Sequence, residues 1–168
     1  HGVGVDQDIE RGIDLLKRGH RAEAGLASFT LAELYRDGEH LPLDLRLAAD
    51  LFQQSAKSGY PLGHYHFGLA CIFGHGIEQN AELAATHFEE AMQYGIIAAA
   101  TGLGVTDYAL RRDAAEALGF ILFGTRSIDR PVPQWVQETI DRLNGELDDQ
   151  GMAAAEEVYA KLRNRFRN

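Results

Sequence analysis

Apolar residues recur every three or four positions along most of this chain, which is the spacing of one face of an α-helix. Residues 6–18 show the pattern first, with Ile9, Ile13 and Leu16 on a common face. The pattern predicts an almost entirely helical protein. The predicted helices lie at about residues 6–18, 22–36, 44–57, 62–73, 80–94, from 99 onward, 113–124, 133–144 and 148–166.

Residues that favour helix ends stand between these segments. Asp44 and Asn80 precede two of them, where a short polar side chain can cap the first turn. Pro42 supports the first of these starts, and residues 127–133, with two of the four prolines, are predicted to form a connector. Glycine readily ends a helix, so we expect helix ends at Gly19, Gly38, Gly59, Gly95 and Gly124.

Small residues, one bulky apolar residue and the glycines return at a spacing of 36 residues. A period of this length is typical of stacked helical repeats, in which each unit buries its apolar face against its neighbours. Such arrays generally bind other molecules along an extended surface. The matched positions are Gly38 and Gly74, Asp44 and Asn80, Ala48 and Ala84, Phe52 and Phe88, Gly59 and Gly95, and Ala32, Gly68 and Gly104.

The matched residues have a physical role in such a stack. Ala32, Gly68 and Gly104 are small at points where two helices are expected to cross closely, and Ala48 and Ala84 serve the second helix in the same way. The larger residues Phe52 and Phe88 are expected to fill the gap between units.

The repeated elements resemble the Sel-one-like repeat, a relative of the tetratricopeptide repeat. The first copy reads Ala27-x3-Leu31-Ala32-x2-Tyr35-x2-Gly38, and the turn Gly74-His75-Gly76-Ile77 of the second is similar to the glycine-rich turn of that family. The resemblance covers about residues 4–124. It implies an all-α, right-handed α/α solenoid of helix–turn–helix repeats with a two-helix C-terminal cap.

On this interpretation the repeats occupy residues 1–126 and the capping helices residues 127–168. The partial unit 1–21 is followed by units at about 22–59, 60–95 and 96–126. The third copy departs from the pattern, because its turn is shorter and Asp107 replaces Tyr35. Because the pattern is already under way at the first residues, we expect an excised fragment of a longer protein.

Composition narrows the possible functions. The chain has 168 residues, 45% of them hydrophobic, and a formal net charge of −9, which argues against a nucleic-acid binder. The single cysteine, Cys71, permits no internal disulfide and is expected to be a buried structural thiol. No apolar run has the length of a membrane span. The acidic balance favours a basic or neutral partner.

The resemblance also implies a non-enzymatic adaptor or scaffold whose first helices line a concave groove for a partner peptide or helix. The same side chains could instead be core residues, and both interpretations stay open. Proteins of this family are often found in bacterial envelope, secretion or signalling complexes, so the resemblance also implies such a complex and a periplasmic or exported location. The groove residues implied are Phe29, Glu33, Arg36, Tyr65, Leu69, Ile72, Phe73, Thr101, Val105 and Tyr108.

The sequence gives little support for a catalytic or metal-binding site. His64 and His66 are two apart and point to different sides of a helix, so with His75 they do not form a zinc-binding set. No nucleophile motif occurs, and paired carboxylates fall on solvated helix faces. We therefore predict no enzymatic activity, cofactor or metal. The alternative function is binding of a cell-wall or exported polysaccharide through aromatic faces.

Overall fold

A computed structural model describes residues 3–128 and 130–167, with side chains from residue 8 onward. Helices connected by short turns make up this part of the chain, and it contains no strand. The prediction of an all-α helical repeat fold is confirmed. The helices are α1 (Val3–Arg21), α2 (Gly25–Asp37), α3 (Leu45–Lys57), α4 (Pro61–Phe73), α5 (Ala81–Gln93), α6 (Ala98–Ala109), α7 (Ala114–Arg126), α8 (Gln134–Glu146) and α9 (Asp149–Arg165).

Side-chain caps fix several helix starts. The carboxylate of Asp44 accepts a hydrogen bond from the backbone N–H of Leu47 at 2.9 Å, and Asn80 accepts one from Leu83 at the same distance. Asp113 and Asp148 cap α7 and α9 in the same way. Each cap satisfies a backbone donor that the first turn leaves without a partner in the helix. The predicted starts at these residues are confirmed.

Two glycines predicted to end helices do not. Gly19 lies inside α1, where the missing side chain leaves room for Ala27 of α2, and the turn follows at Glu23 with φ +58°. Gly124 lies inside α7, where Thr101 of α6 packs against it. Both predictions were wrong because glycine also serves where two helices touch, a use that a local pattern does not distinguish from a helix end.

The chain forms two compact units, residues 1–79 and residues 80–168. Within the described residues, the first unit contains α1–α4 and the second contains α5–α9. The division predicted at residue 126, between the repeats and the capping helices, is based on the sequence pattern alone. It stays a prediction.

Close contact between helices organises the first unit. Gly63 of α4 lies directly on the backbone of Ser55 and Ala56 in α3, and the Ser55 hydroxyl donates a hydrogen bond to the Gly25 carbonyl at 2.8 Å. The ring of Phe52 lies between α2 and α4, with its centroid 5.6 Å from that of Phe29. Phe52 therefore fills the space between consecutive helical pairs, as its recurrence predicted.

The second unit repeats this arrangement and adds the last two helices. The ring of Phe88 packs on Gly102, and Gly104 lies against the Ala117 carbonyl of α7. Gly119 of α7 contacts Val158 of α9. The core that joins α7, α8 and α9 consists of Leu118, Ile121, Val136, Leu143 and Ala155.

The glycine-rich turn after α4 needs both of its glycines. Gly74 and Gly76 have φ of +71° and +79°, which L-residues with side chains rarely adopt. A Cβ on Gly76 would also overlap the backbone of Leu45 and Arg46 at the start of α3. The turn is therefore held directly against the first turn of α3.

Gly76→Ala tests that contact, and Gly59→Ala is its matched control. Both glycines have φ of +79°, but a Cβ on Gly59 would meet nothing within 4 Å. The control should lose about 1 kcal/mol of unfolding free energy from backbone strain alone. Gly76→Ala should lose about 1–3 kcal/mol more, because the α3 backbone must move. Urea unfolding followed by circular dichroism measures both, and equal losses would contradict the contact.

Gly119→Ala tests the docking of α9 on α7, with Gly145→Ala as its control. A Cβ on Gly119 would lie 2.5 Å from the Cβ of Val158, whereas one on Gly145 in α8 would meet nothing within 4 Å. We expect Gly119→Ala to lower the unfolding free energy by about 1–3 kcal/mol through overpacking. Gly145→Ala should raise it by about 0.5–1 kcal/mol, because alanine favours the helix. Thermal unfolding of both variants would show shifts of opposite sign, and two shifts of one sign would refute this account.

Candidate partner-binding site

A solvent-facing pocket of about 230 Å³ lies within the first unit, among helices α2, α3 and α4. We call it the α2–α4 pocket. Its floor and walls are mostly apolar, and three basic or imidazole side chains stand around them. The lining residues are Arg36, Leu45, Ala48, Ala49, Phe52, His66, Leu69, Ala70, Phe73 and His75.

The floor of the pocket belongs to the core of the unit. Ala48, Ala49 and Phe52 of α3 are almost fully buried, and they are spaced so that they share one face of the helix. At the mouth, the side chains of Leu45 and Phe73 are each 36% exposed. Apolar surface therefore continues from the buried core out to solvent.

His66 of α4 forms one wall and is packed among aromatic rings. Its imidazole stacks on Phe52 with 5.0 Å between centroids and an interplanar angle of 21°. The rings of Phe29 and Tyr65 meet it edge-on, each with its centroid 5.2 Å away. Aromatic packing on several sides fixes the orientation of this imidazole.

Arg36 at the end of α2 connects the pocket to neighbouring charges. Its Nη1 donates to Nδ1 of His66 at 3.1 Å, and its Nε donates to a carboxylate oxygen of Asp37 at 2.8 Å. Its Nη2 lies 3.5 Å from a carboxylate oxygen of Glu33. The guanidinium carbon also stands 5.9 Å from the centroid of the Phe52 ring. These contacts hold the guanidinium at the edge of the pocket.

Burial, together with the nearby positive charge of Arg36, lowers the pKa of His66 to about 4. The imidazole is therefore neutral at neutral pH. Because Arg36 has no acceptor, Nδ1 of His66 accepts that hydrogen bond and the ring proton lies on Nε2. The wall that His66 forms is uncharged.

The groove residues predicted for the first unit lie in different environments in the structure. Arg36, Leu69 and Phe73 line the α2–α4 pocket. Glu33 lies beside it through its ion pair with Arg36. Phe29 is only 6% exposed and packs beneath the pocket, so it offers a partner almost no surface.

Two further residues of the predicted groove lie outside the lining of the pocket. Tyr65 contacts His66 from the side. Ile72 is half-buried, and its carbonyl accepts a hydrogen bond from the Gln79 side chain at 3.3 Å.

In the second unit, the predicted groove residues are engaged in internal packing. Thr101 lies against Gly124 of α7, and Val105 packs against the core that joins α7, α8 and α9. Tyr108 packs there too, and its hydroxyl donates to a carboxylate oxygen of Glu146 in α8 at 2.7 Å. All three residues are half-buried, and Tyr108 also lines a separate surface pocket with Arg112 and Glu146.

Sequence reasoning missed most of the α3 side of the pocket. It identified Ala48 and Phe52 as packing residues, and the structure shows that they form the pocket floor as well. Leu45 was not named as a site residue, and His66 and His75 were considered as metal ligands but not included in the predicted groove. The lining residues that the predicted groove did not include are Leu45, Ala48, Ala49, Phe52, His66, Ala70 and His75.

The described residues contain no group of three or more His, Cys, Asp or Glu arranged to hold a metal ion. None of their helices combines the length and the apolar character needed to span a bilayer.

Comparison with known proteins identifies the family of the repeats. The model of the Sel1 repeat, the Sel-one-like repeat of the sequence analysis, matches residues 1–19, 20–60 and 62–93, which is more than half of the chain. An uncharacterized protein of Neisseria meningitidis serogroup B is 30% identical over 105 residues, which cover 55% of this chain and 22% of that protein.

Two solved structures share the fold. A protective antigen of uropathogenic Escherichia coli with an SLR fold aligns with 92% of this chain and 41% of its own, at 16% identity and a TM-score of 0.59. A Sel1 repeat protein of Oxalobacter formigenes aligns with 82% of this chain and 64% of its own, at 19% identity and the same TM-score. The chain thus spans about a fifth of the length of the Neisseria relative and less than two thirds of each solved chain.

Sel1 repeat proteins generally mediate protein–protein interactions, and their family is one of non-catalytic interaction scaffolds. The matched repeats, the helical pairs and the structural likeness agree with one another. This chain belongs to the Sel1 repeat family.

Proposed function

We propose that this chain is a non-enzymatic adaptor that holds a partner peptide or helix at the α2–α4 pocket. The observation that carries the proposal is a preformed pocket whose apolar floor continues to exposed Leu45 and Phe73 at its mouth. Preformed apolar pockets are the usual sites for the anchor side chains of a protein partner.

The size of the pocket suits one or two anchor side chains. Its volume of about 230 Å³ corresponds to roughly eight water molecules at about 30 Å³ each. Burying one Leu or Phe side chain of a partner contributes about 1.5–3 kcal/mol. A stable interface covers about 800 Å² on each partner, so flanking surface on α2 and α4 must add to the contact.

The polar groups around the pocket favour a protein over a polysaccharide. A sugar is held by many hydrogen bonds to its hydroxyl groups, but most of the residues that line the pocket are apolar. The neutral wall of His66 and the aliphatic side chains of Leu45 and Leu69 suit an apolar side chain better. We keep polysaccharide binding as an outcome of the test.

The proposed setting is a bacterial envelope, secretion or signalling complex. It is supported by the relatives, which come from Neisseria, Escherichia and Oxalobacter, and one of which is a protective antigen. An adaptor in such a complex needs a stable repeat scaffold and at least one docking surface, and the α2–α4 pocket is the candidate for that surface.

Phe73→Ala tests the docking surface, with Leu26→Ala as its control. Leu26 is also on the first unit and is 58% exposed, but it lies outside the pocket lining. Peptides selected from a random library on the wild-type chain should bind Phe73→Ala at least about tenfold more weakly, since losing an aromatic anchor costs more than about 1.4 kcal/mol. Leu26→Ala should bind them normally, and both variants should keep their helicity.

Fluorescence anisotropy with labelled peptides measures these affinities, and a glycan array supplies the competing outcome. Binding to glycans but to no peptide would replace the proposal by the polysaccharide alternative. Equal loss of peptide binding in both variants would place the docking surface outside the pocket.

A second prediction concerns the neutral His66. Its pKa is about 4 in the folded chain and ordinarily 6.5, so the unfolded chain binds the proton more tightly. The contribution of neutral His66 is complete above pH 6.5 and is lost as the pH falls toward 4. This loss is on the order of 3 kcal/mol.

The measurement is urea unfolding of the wild type and His66→Gln between pH 7 and pH 4, with the His66 ring followed by NMR. The wild type should lose more unfolding free energy across this range than His66→Gln, because glutamine does not titrate. A ring that titrates near pH 6.5, or equal losses in the two proteins, would contradict the burial of a neutral imidazole.

A further inference from the structure

Another surface pocket, of about 430 Å³, lies within the second unit among α5, α6, α7 and the end of α9. We call it the Asp107 pocket. Much of its lining is apolar and buried or half-buried, and charged side chains stand among these residues. The apolar lining residues are Met92, Leu103, Phe120, Leu162 and Phe166.

The most buried charged group of this pocket is the carboxylate of Asp107, a residue that is only 6% exposed. Asp107 follows Cys71 by one period of 36 residues and Tyr35 by two. Cys71 is fully buried, so the repeat accepts an uncharged residue at this position. Packing of the repeat alone therefore does not require a carboxylate here.

The two carboxylate oxygens of Asp107 have different surroundings. Oδ1 accepts a hydrogen bond from Nη1 of Arg112 at 2.7 Å, while Nη2 of Arg112 donates to Glu82 at the same distance. Oδ2 has no hydrogen-bond partner among the described residues, which contain no buried side-chain oxygen without a partner. Oδ2 is therefore accessible, and it is reached from the pocket that Asp107 lines.

The charges around Oδ2 favour a cation. Glu89 of α5 and Glu116 of α7 are exposed members of the lining, and the structure pairs neither with a described basic side chain. Burial raises the pKa of Asp107, and the charges of Glu89 and Glu82 act in the same direction. The hydrogen bond from Arg112 opposes these effects and does not reverse the shift. A further positive charge beside Oδ2 would thus be stabilised.

We propose that the Asp107 pocket binds a lysine side chain of a partner protein. The apolar lining contacts the methylene stem, and the ammonium group donates a hydrogen bond to Oδ2 of Asp107. Lysine suits the pocket better than arginine, because a guanidinium binds a carboxylate best through both oxygens and Oδ1 is already bonded to Arg112. The site lies in the second unit, so it is independent of the α2–α4 pocket.

Arg165, at the end of α9, is the opposing charge in the lining. It is exposed, and its guanidinium carbon stands 5.4 Å from the centroid of the Phe166 ring. Because like charges repel, Arg165 weakens the binding of a lysine, and its removal should strengthen that binding. A residue with a purely structural role would not show this direction of change.

The test titrates two end-capped heptapeptides into the full chain and follows the NMR signals of Met92, Leu103 and Phe120. One peptide has a lysine between two leucines, and the other has norleucine in place of the lysine. Norleucine keeps the methylene stem but lacks the charge. The lysine peptide should bind at least about tenfold more tightly, because it alone makes the charge-assisted hydrogen bond. High salt should reduce this difference.

Glu89→Gln tests the charge of the pocket, with Glu90→Gln as its matched control. Both substitutions remove one negative charge from α5, but Glu90 lies outside the pocket lining. Glu89→Gln should weaken the lysine peptide about two- to fivefold, Arg165→Gln should tighten it by a similar factor, and Glu90→Gln should leave it nearly unchanged. Asp107→Asn should bind the two peptides equally, with its folding checked by circular dichroism.

Four outcomes would overturn the proposal. They are equal binding of the two peptides to the wild-type chain, binding of neither peptide, weaker binding of the lysine peptide to Arg165→Gln, and equal losses in Glu89→Gln and Glu90→Gln. The last outcome would show an effect of net charge rather than of the pocket. None of the four changes the adaptor proposal, which rests on the α2–α4 pocket in the first unit.

Discussion

The structure depends on one constraint, which is that backbones of neighbouring helices approach closely enough to touch. Gly63 lies on the backbone of α3, and Gly104 lies on the backbone of α7. A methyl group at either position would separate the helices, and the side chains around them would lose contact. A Cβ on Gly63 would also meet the hydroxyl of Ser55, which bonds the Gly25 carbonyl of α2 on the other side of α3. Larger residues such as Phe52 then fill the spaces that remain.

The sequence predicted the elements well, because helix periodicity, caps and the 36-residue period are all local or repeating signals. Asp44 and Asn80 cap the helices that they were expected to cap. Gly19 and Gly124 show where local signals fail. The same residue type permits a turn and a close helix contact, and only the neighbouring helix decides between them.

The candidate site was less predictable, because it depends on what packs next to each repeat. Phe29, Tyr65 and Thr101 stand at one position of the period, 36 residues apart. Phe29 is buried under the pocket, Tyr65 flanks His66, and Thr101 packs on Gly124. The periodic pattern predicts the same role for all three residues, whereas the helices that pack against them give each residue a different environment. For the same reason the pattern named Arg36, Leu69 and Phe73, which line the pocket, but did not place Leu45 at the start of α3 or His75 in the turn after α4 beside them.

One position of the 36-residue period determines which side chain forms the wall of the pocket. His66 stands 36 residues before Gly102. In the first unit the imidazole stacks on Phe52, and its neutral ring forms the wall; in the second unit the ring of Phe88 packs directly onto the glycine. The bulky aromatic residue and the helix crossing are kept in both, so the scaffold does not depend on this change. A repeat protein can thus alter one residue facing the core phenylalanine and obtain a different binding surface from the same framework.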